Sequence, residues 1–303
     1  MAVKVLVVGS ANVDFTIAAA RLPSPGETVT NGTLLVNHGG KGANQAVAAR
    51  RLGADVRFIG CVGRDDSGAA IRAALAAEGI GVDGLMDTAE AATGTALIVV
   101  DAAGHNQIAV APGANRALTL EHVASRHADV AWADVVVCQL ESPLPCVIAA
   151  LTAAHARGVA TILNPAPVPD ERLSFLGEVD YLTPNAGEAA RLSGLPVAAP
   201  GDVEPAAQAL RAAGARTVIV TLGEEGALAV GDATLRVPAF QVRAVDTTAA
   251  GDAFNAGLAV AIAEGRPLGE ALAFASATAA LTCTRRGAQA ALPHRAEVDD
   301  ALR

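Results

Sequence analysis

Short β-branched runs alternate with Ala-rich amphipathic stretches from one end of this chain to the other, and that alternation predicts an α/β fold. The expected core is a doubly wound, mostly parallel sheet with helices on both faces. Two segments break the alternation and predict a small β-sheet lid beside it. A chain of 303 residues is long enough for one such core plus a small appendage.

Strands are expected over 3–8, 56–59, 135–138, 160–163 and 218–221, and helices over 43–52, 68–78, 143–157, 206–213 and 252–264. The segment 27–36 (ETVTNGTLLV) holds the turn dipeptide Asn31-Gly32 between β-prone residues, which predicts a hairpin there. The segment 93–110 reads as two strands around a turn at 101–104. Neither has a helix on which to cross over, so both are expected as antiparallel ribbons outside the main sheet. Pattern alone leaves open whether they cover a ligand or are plain edge hairpins.

Apolar residues make up 52% of the chain and charged residues 17%, a globular composition. No stretch approaches the ~20 strongly apolar residues of a membrane span. The apolar run 5–8 before Gly9 is too short for a signal peptide and reads as a first buried strand, so a cytoplasmic setting is expected. Cys61, Cys138, Cys146 and Cys283 lack metal or disulfide spacing and are expected as reduced thiols. A net charge of −9, with one Trp, one Tyr and six Phe, argues against nucleic acid as a partner.

Three segments carry candidate chemistry. In VDTTAAGDAF (245–254), Ala249, Ala250 and Gly251 lead into a helical pattern. A helix start offers unpaired N–H groups and partial positive charge, and small residues let an anion approach. Asp252 would then sit beside a bound phosphate, where a carboxylate makes sense as a base that takes a proton from an incoming hydroxyl. Asp is also a common helix cap, and this segment alone leaves both roles open. HGGKGANQ (38–45) is not a P-loop, because Leu35 stands at the first glycine position and Gly42 follows Lys41. Its paired glycines permit close backbone approach, and Lys41 and Asn44 share a helix face. In GSANVD (9–14), directly after the first strand, Asn12 and Asp14 would alternate onto one side and could grip vicinal hydroxyls. Glu141, in QLESP, lies at a similar strand edge. Asn185 and Glu188 open another helical pattern, either to order Mg²⁺ and its waters or to stabilise the helix start.

Together with PSPGETV, TGTALIVV, GANRAL, NPAP, TPNAGE and TRRGAQ, these segments resemble, in order and over essentially the whole chain, the ribokinase-like family of carbohydrate and adenosine kinases. The combination is specific where a single piece is not. The resemblance implies ATP-dependent phosphorylation of D-ribose at O5 to ribose 5-phosphate, with Asp252 as base and Ala249, Ala250 and Gly251 as anion hole. It implies a sugar site of Asn12, Asp14, Gly39, Gly40, Lys41, Asn44, Ala96 and Glu141. Asn185, Glu188, Thr221, Gly223 and Gly251 would serve the nucleotide, with Asn185 and Glu188 reaching Mg²⁺ indirectly. An activating K⁺ or other monovalent cation would lie among Asp246, Thr248, Cys283, Arg286 and Gly287. Ala291 departs from the serine common there and offers no hydroxyl ligand. Residues 1–14, 38–92 and 112–303 would form the core, and 15–37 with 93–111 a lid that builds a homodimer. A relative acting on deoxyribose, a nucleoside or another sugar is the alternative. A sugar-binding sensor without catalysis is a remoter one, against which the intact Asp252 argues.

Overall fold

The computed structural model describes residues 2–303. Strand β1 (Lys4–Val8) opens the main sheet; β2 (Asn12–Ala18) and β3 (Thr33–Gly39) leave it, and helix α1 (Lys41–Arg51) returns the chain to β4 (Asp55–Gly63). Helix α2 (Asp66–Ala77) leads to the edge strand β5 (Gly81–Thr88). A second excursion through β6 (Gly94–Val100) and β7 (Asn106–Ala111) is followed by the short helices α3 (Leu120–Ser125) and α4 (His127–Trp132). The chain re-enters at β8 (Val135–Gln139), then runs through α5 (Leu144–His155), β9 (Ala160–Asn164), β10 (Tyr181–Leu182), α6 (Ala186–Ser193), α7 (Val203–Ala212) and β11 (Thr217–Thr221). The antiparallel β12 (Ala227–Val230) and β13 (Thr234–Val237) finish the sheet, and α8 (Ala250–Ala263), α9 (Leu268–Thr282) and α10 (Arg295–Ala301) close the chain.

The nine strands stand in the order β13, β12, β11, β10, β9, β8, β1, β4, β5. Growth from β1 runs outward through β4 and β5, then reverses to β8 on β1's other side. That reversal is a topological switch point, where the loops leaving two neighbouring strands diverge and open a crevice. Two apolar layers lie on the two sheet faces. One joins Val5, Val7 and Phe58 to α1, α8 and α9; the other joins Leu6, Val8 and Leu163 to α5 and α7.

Alanine does much of the packing. Helix α8 is buried continuously from Asp252 to Ala261, so it lacks a polar face and an amphipathic period. A Cβ at Gly257 would stand 2.9 Å from the Ala275 Cα, which shows how closely α8 and α9 approach.

The expected α/β core is present, with most element ends moved by one to three residues. The strand expected at 56–59 runs nine residues, because its apolar stretch continues through Cys61 and Val62. The turn expected at Asn31-Gly32 is not a tight hairpin. The paired arms are β2 and β3, and residues 19–32 connect them. Pro23 and Pro25 keep that connection out of the ladder, and an Arg21–Glu27 ion pair ties it (Nη1 to Oε2, 2.6 Å). Asn31 does adopt a left-handed φ of 67°, so the turn signal was local but misplaced. Strands β6 and β7 form the expected ribbon, and β2 joins β6 in parallel to complete a separate four-stranded sheet, β3-β2-β6-β7. Among the described residues no helix is long and apolar enough to cross a membrane.

The α8–α9 contact yields a stability prediction. Gly257→Val should destabilise the protein by about 1–3 kcal/mol through overpacking, read as a lower urea midpoint at unchanged slope. An unchanged midpoint would contradict the close approach.

Candidate active site

The crevice at the switch point is built by three chain starts that meet. The first is the turn from β1 into β2, which carries Ser10 and Asn12. The second is the start of α1. Gly40, just before it, has φ 86°, and a Cβ there would stand 2.8 Å from the Ala11 Cα, so this corner takes only glycine. The Asp14 carboxylate lies directly against Gly39, where any side chain would displace it. The third is Glu141, just past β8. Its Oε2 accepts from Ser10 Oγ (2.5 Å) and from the Lys41 N–H (3.1 Å), which leaves Oε1 outside this clamp.

Asn12 and Asp14 lie on one face of β2, two residues apart, and Ala96 of β6 is the register partner of Asp14. Asn12 Oδ1 accepts from Asn115 Nδ2 (2.7 Å), and Asn115 Oδ1 accepts from the Ala11 N–H (2.9 Å). This turns the Asn12 amide nitrogen away from Asn115. A cavity of about 640 Å³ opens here, lined by Asn12, Lys41, Glu141, Asn115 and Arg116, with an apolar wall that includes Leu140, Pro143 and Pro167.

Asp252 comes to this crevice from α8, which packs beside α1 on the same face of the sheet. It lies in the first turn of α8 and is buried, yet its side chain makes no cap bond. Instead, Asn44 Nδ2 donates to Oδ2 (2.9 Å) and Gln45 Nε2 donates to Oδ1 (3.1 Å), so the helix-cap role left open by the sequence is not the one it plays. Burial pushes its carboxyl up to about 6, against the opposing pull of Lys41 and the Asn44 amide. Asp14 is also pushed up to about 6, by burial first and then by the neighbouring charges of Glu141 and Asp252. Burial works to lower Lys41, but Asp252, Glu141 and Glu188 outweigh it and hold the ammonium above its ordinary value. Asn44 Oδ1 is buried with no protein partner, an acceptor that a ligand hydroxyl would satisfy.

The start of α8 is unusual. Ala249 takes a left-handed φ of 62°, a conformation that costs a non-glycine residue energy and that clusters at functional sites. The first ladder bond runs from the Ala253 N–H to the Ala249 carbonyl, so the N–H groups of residues 250–252 lie outside the ladder. That of Ala250 bonds the Thr247 carbonyl (3.2 Å). Of the residues expected as an anion hole, Ala250 thus has its N–H taken, and the ladder leaves the Gly251 and Asp252 amides open.

Asn185 and Glu188 form a reciprocal capping box at α6, so the helix-start role left open for Glu188 is filled. The box uses one Glu188 oxygen. Asn185, Thr221 and Gly223 come together around a second cavity of about 360 Å³, which Glu188 and Gly251 do not line. Asp246 draws the last group together. Its carboxylate accepts the N–H groups of Gly287 (2.9 Å) and Thr248 (2.9 Å), and its own N–H reaches the Cys283 carbonyl (3.2 Å). Burial works to raise the Asp246 carboxyl, but these donors and the nearby Arg286 hold it below its ordinary value. Ala291 is fully buried.

Sequence reading missed Ser10, Gln45, Asn115 and Asn164. Each contacts a predicted residue, or a neighbour of one, from a short motif already singled out; what distinguishes it is a partner more than a hundred residues away.

Comparison with known proteins accords with this geometry. The pfkB family carbohydrate kinase model matches residues 2–295, and the chain belongs to that family. It is 41% identical over 295 residues to the ribokinase of Haemophilus influenzae, covering 96% of this chain and 95% of that one. It is 34% identical to a deoxyribokinase of Salmonella typhi, covering 95% of each. The solved Arabidopsis thaliana ribokinase, complexed with ribose and ATP, superposes with a TM-score of 0.90 at 32% identity, covering 100% of this chain and 99% of that one.

The charged cluster predicts a trade of stability for function at Asp14. Its folded pKa of about 6 exceeds the ordinary 3.8, so folding favours the protonated form. Its charge therefore costs stability above pH ~6 and costs nothing below pH ~4. Asp14→Asn should melt higher than the parent at pH ~8 and equally at pH ~3.5, by calorimetry.

Proposed function

We propose that this protein transfers the γ-phosphoryl group of ATP to O5 of D-ribose, giving ribose 5-phosphate, with Asp252 as the catalytic base. The observation that carries the reading is Asp252 itself: a buried carboxylate in the first turn of a helix that opens on small residues and leaves the Gly251 and Asp252 amides outside its ladder. The carboxylate lies beside Asn44 and Lys41, and Lys41 lines the cavity together with Asn12 and Glu141. The likeness to the Haemophilus influenzae ribokinase and to the Arabidopsis thaliana ribokinase complexed with ribose and ATP supports the substrate.

In this reading the sugar lies among Asn12, Asp14, Gly39, Gly40, Lys41, Asn44, Ala96 and Glu141. The nucleotide lies along Asn185, Thr221 and Gly223 with its γ-phosphoryl at Ala249, Ala250 and Gly251. Asp252 accepts the O5 proton as the oxygen attacks phosphorus, and the helix amides offset charge on the transferring group. The sheet of residues 15–37 and 93–111 acts as a lid over the core, and its closure excludes water that would compete as acceptor.

Magnesium accompanies the nucleotide and would offset phosphate charge; Glu188, with one oxygen outside its capping box, and Asn185 suit it through water. A monovalent cation such as K⁺ would find a carboxylate and backbone carbonyls among Asp246, Thr248, Cys283, Arg286 and Gly287. The direct Gly287–Asp246 contact supports that grouping. The four free cysteines are in keeping with a reducing, cytoplasmic setting.

The lid's outward face supports a homodimer. Strand alternation puts Ile17, Leu34, Val36 and Leu97 on the face opposite Asp14, and all four are exposed, Leu34 at 57% and Leu97 at 58%. Apolar side chains that adjoin across three strands mark an association surface.

The decisive assay is ADP release with MgATP and D-ribose, set beside 2-deoxyribose and adenosine, with and without potassium. Ribose should be preferred and potassium should raise turnover; no response to potassium would remove the cation, and deoxyribose preferred would move the substrate. Asp252→Asn should lose ~10²–10⁴-fold in kcat, and the parent's kcat/KM should fall below pH ~6, where the base becomes protonated. In solution, Leu34→Lys with Leu97→Lys should convert a dimer to a monomer by light scattering. A parent that is already monomeric would end the dimer proposal.

A further inference from the structure

Behind Asp252 runs a chain of buried amides to which the reaction described above assigns no part. Gln45 Nε2 donates to Asp252 Oδ1 (3.1 Å) and lies 3.4 Å from Asn164 Oδ1, the last residue of β9. Gln45 Oε1 accepts from Gln139 Nε2 (2.6 Å), the last residue of β8. Asn164 Nδ2 in turn donates to the Thr183 carbonyl (3.3 Å). Gln45 and Gln139 are fully buried.

The direction of these bonds matters. An amide can present either oxygen or nitrogen, and oxygen turned toward a buried carboxylate would repel it. Two acceptors, Asp252 Oδ1 and Asn164 Oδ1, hold the Gln45 nitrogen, and the Gln45 oxygen is left to accept from Gln139 Nε2. Gln139 is itself crowded against Gly9, where a Cβ would collide with its Oε1. That oxygen is buried with no protein partner, so the bond to Gln45 is the one that ties the Gln139 amide into this chain.

We propose that Gln45 is a positioning residue for phosphoryl transfer, holding the Asp252 carboxylate in one orientation and favouring its charged form, with Gln139 holding the Gln45 oxygen from behind. The proposal rests on Asp252 being the base. Lys41 from α1, Glu141 beyond β8 and Asp14 from β2 also face Asp252, so the Gln45 contribution adds to theirs. The Asn44 amide holds the other oxygen and remains in place when Gln45 is replaced.

The test uses Gln45→Met and Gln139→Met, near-isosteric changes that remove the donors, beside Asp252→Asn, in pH profiles of kcat and KM for D-ribose. Loss of a hydrogen bond to a charged group predicts for Gln45→Met a kcat lower by roughly tenfold or more and an acidic limb moved up by about one pH unit. KM for ribose should stay within about twofold, because the ribose contacts are intact. Gln139→Met should move the limb in the same direction by less. A Gln45→Met enzyme that melts normally and keeps the parent's limb overturns the proposal. If that variant does not fold, an unmoved limb in Gln139→Met overturns it. Near-normal turnover in Asp252→Asn would instead remove the base, and the proposal with it.

Discussion

The structure is organised around one ammonium that cannot neutralise its surroundings. Lys41 lies among Asp252, Glu141 and Glu188, and Asp14 adds another carboxylate within reach of two of them. Burial alone would discharge such groups; like charge compounds it, and two of the carboxyls are pushed into the range near 6. An excess of acceptors in a dry crevice suits a neutral ligand rich in hydroxyl donors, since each O–H can satisfy a carboxylate without adding charge. A polyphosphate would be repelled from the same spot. The open amides of α8 offer the compensating partial charge on the other side of Asp252.

Holding that cluster requires backbone to approach backbone. Gly39, Gly40 and Gly42 let the start of α1 press onto the turn after β1, and each is a position where a Cβ would strike Asp14, Ala11 or Ser10. Alanine plays the equivalent part in the helix layer, where α8 packs against α1 and α9 with almost no bulk between them. The switch in strand order brings β1 and β8 side by side, so Ser10 and Glu141, 131 residues apart in sequence, bond directly. The site is therefore a consequence of topology as much as of motif.

Much of this was legible beforehand. Period and β-branching marked the parallel core, and the small residues before Asp252 marked a helix start open to an anion. The antiparallel pair β12 and β13 gave no comparable signal, since four-residue strands carry too little alternation. Asn31-Gly32 misled because a dipeptide records local backbone preference and not which strands will pair. Glu188 shows the converse limit: a residue spaced to serve a metal is also spaced to cap its helix, and here it does cap. Gln45 and Gln139 could not have been found, because a buried glutamine differs from a surface one only through its partners, and those lie on other strands.

The small four-stranded sheet joins two demands through strand geometry. Side chains alternate across a sheet, so with Asp14 and Ala96 on one face, exposed Leu97 and Val36 fall on the other, together with Phe15, which packs against the core. A polar outer face would make the small sheet soluble alone, but a four-stranded sheet separate from the core has little else to bury. Its apolar outer face, with Ile17, Leu34, Val36 and Leu97 exposed, lies on the same strands that carry Asn12 and Asp14 or pair with them. A one-residue slip in β2 would exchange the two faces, burying Phe15 in the crevice and exposing Asp14. The register of this ladder is thus constrained from both sides, by the Asp14 carboxylate that packs against Gly39 and by the apolar surface behind it.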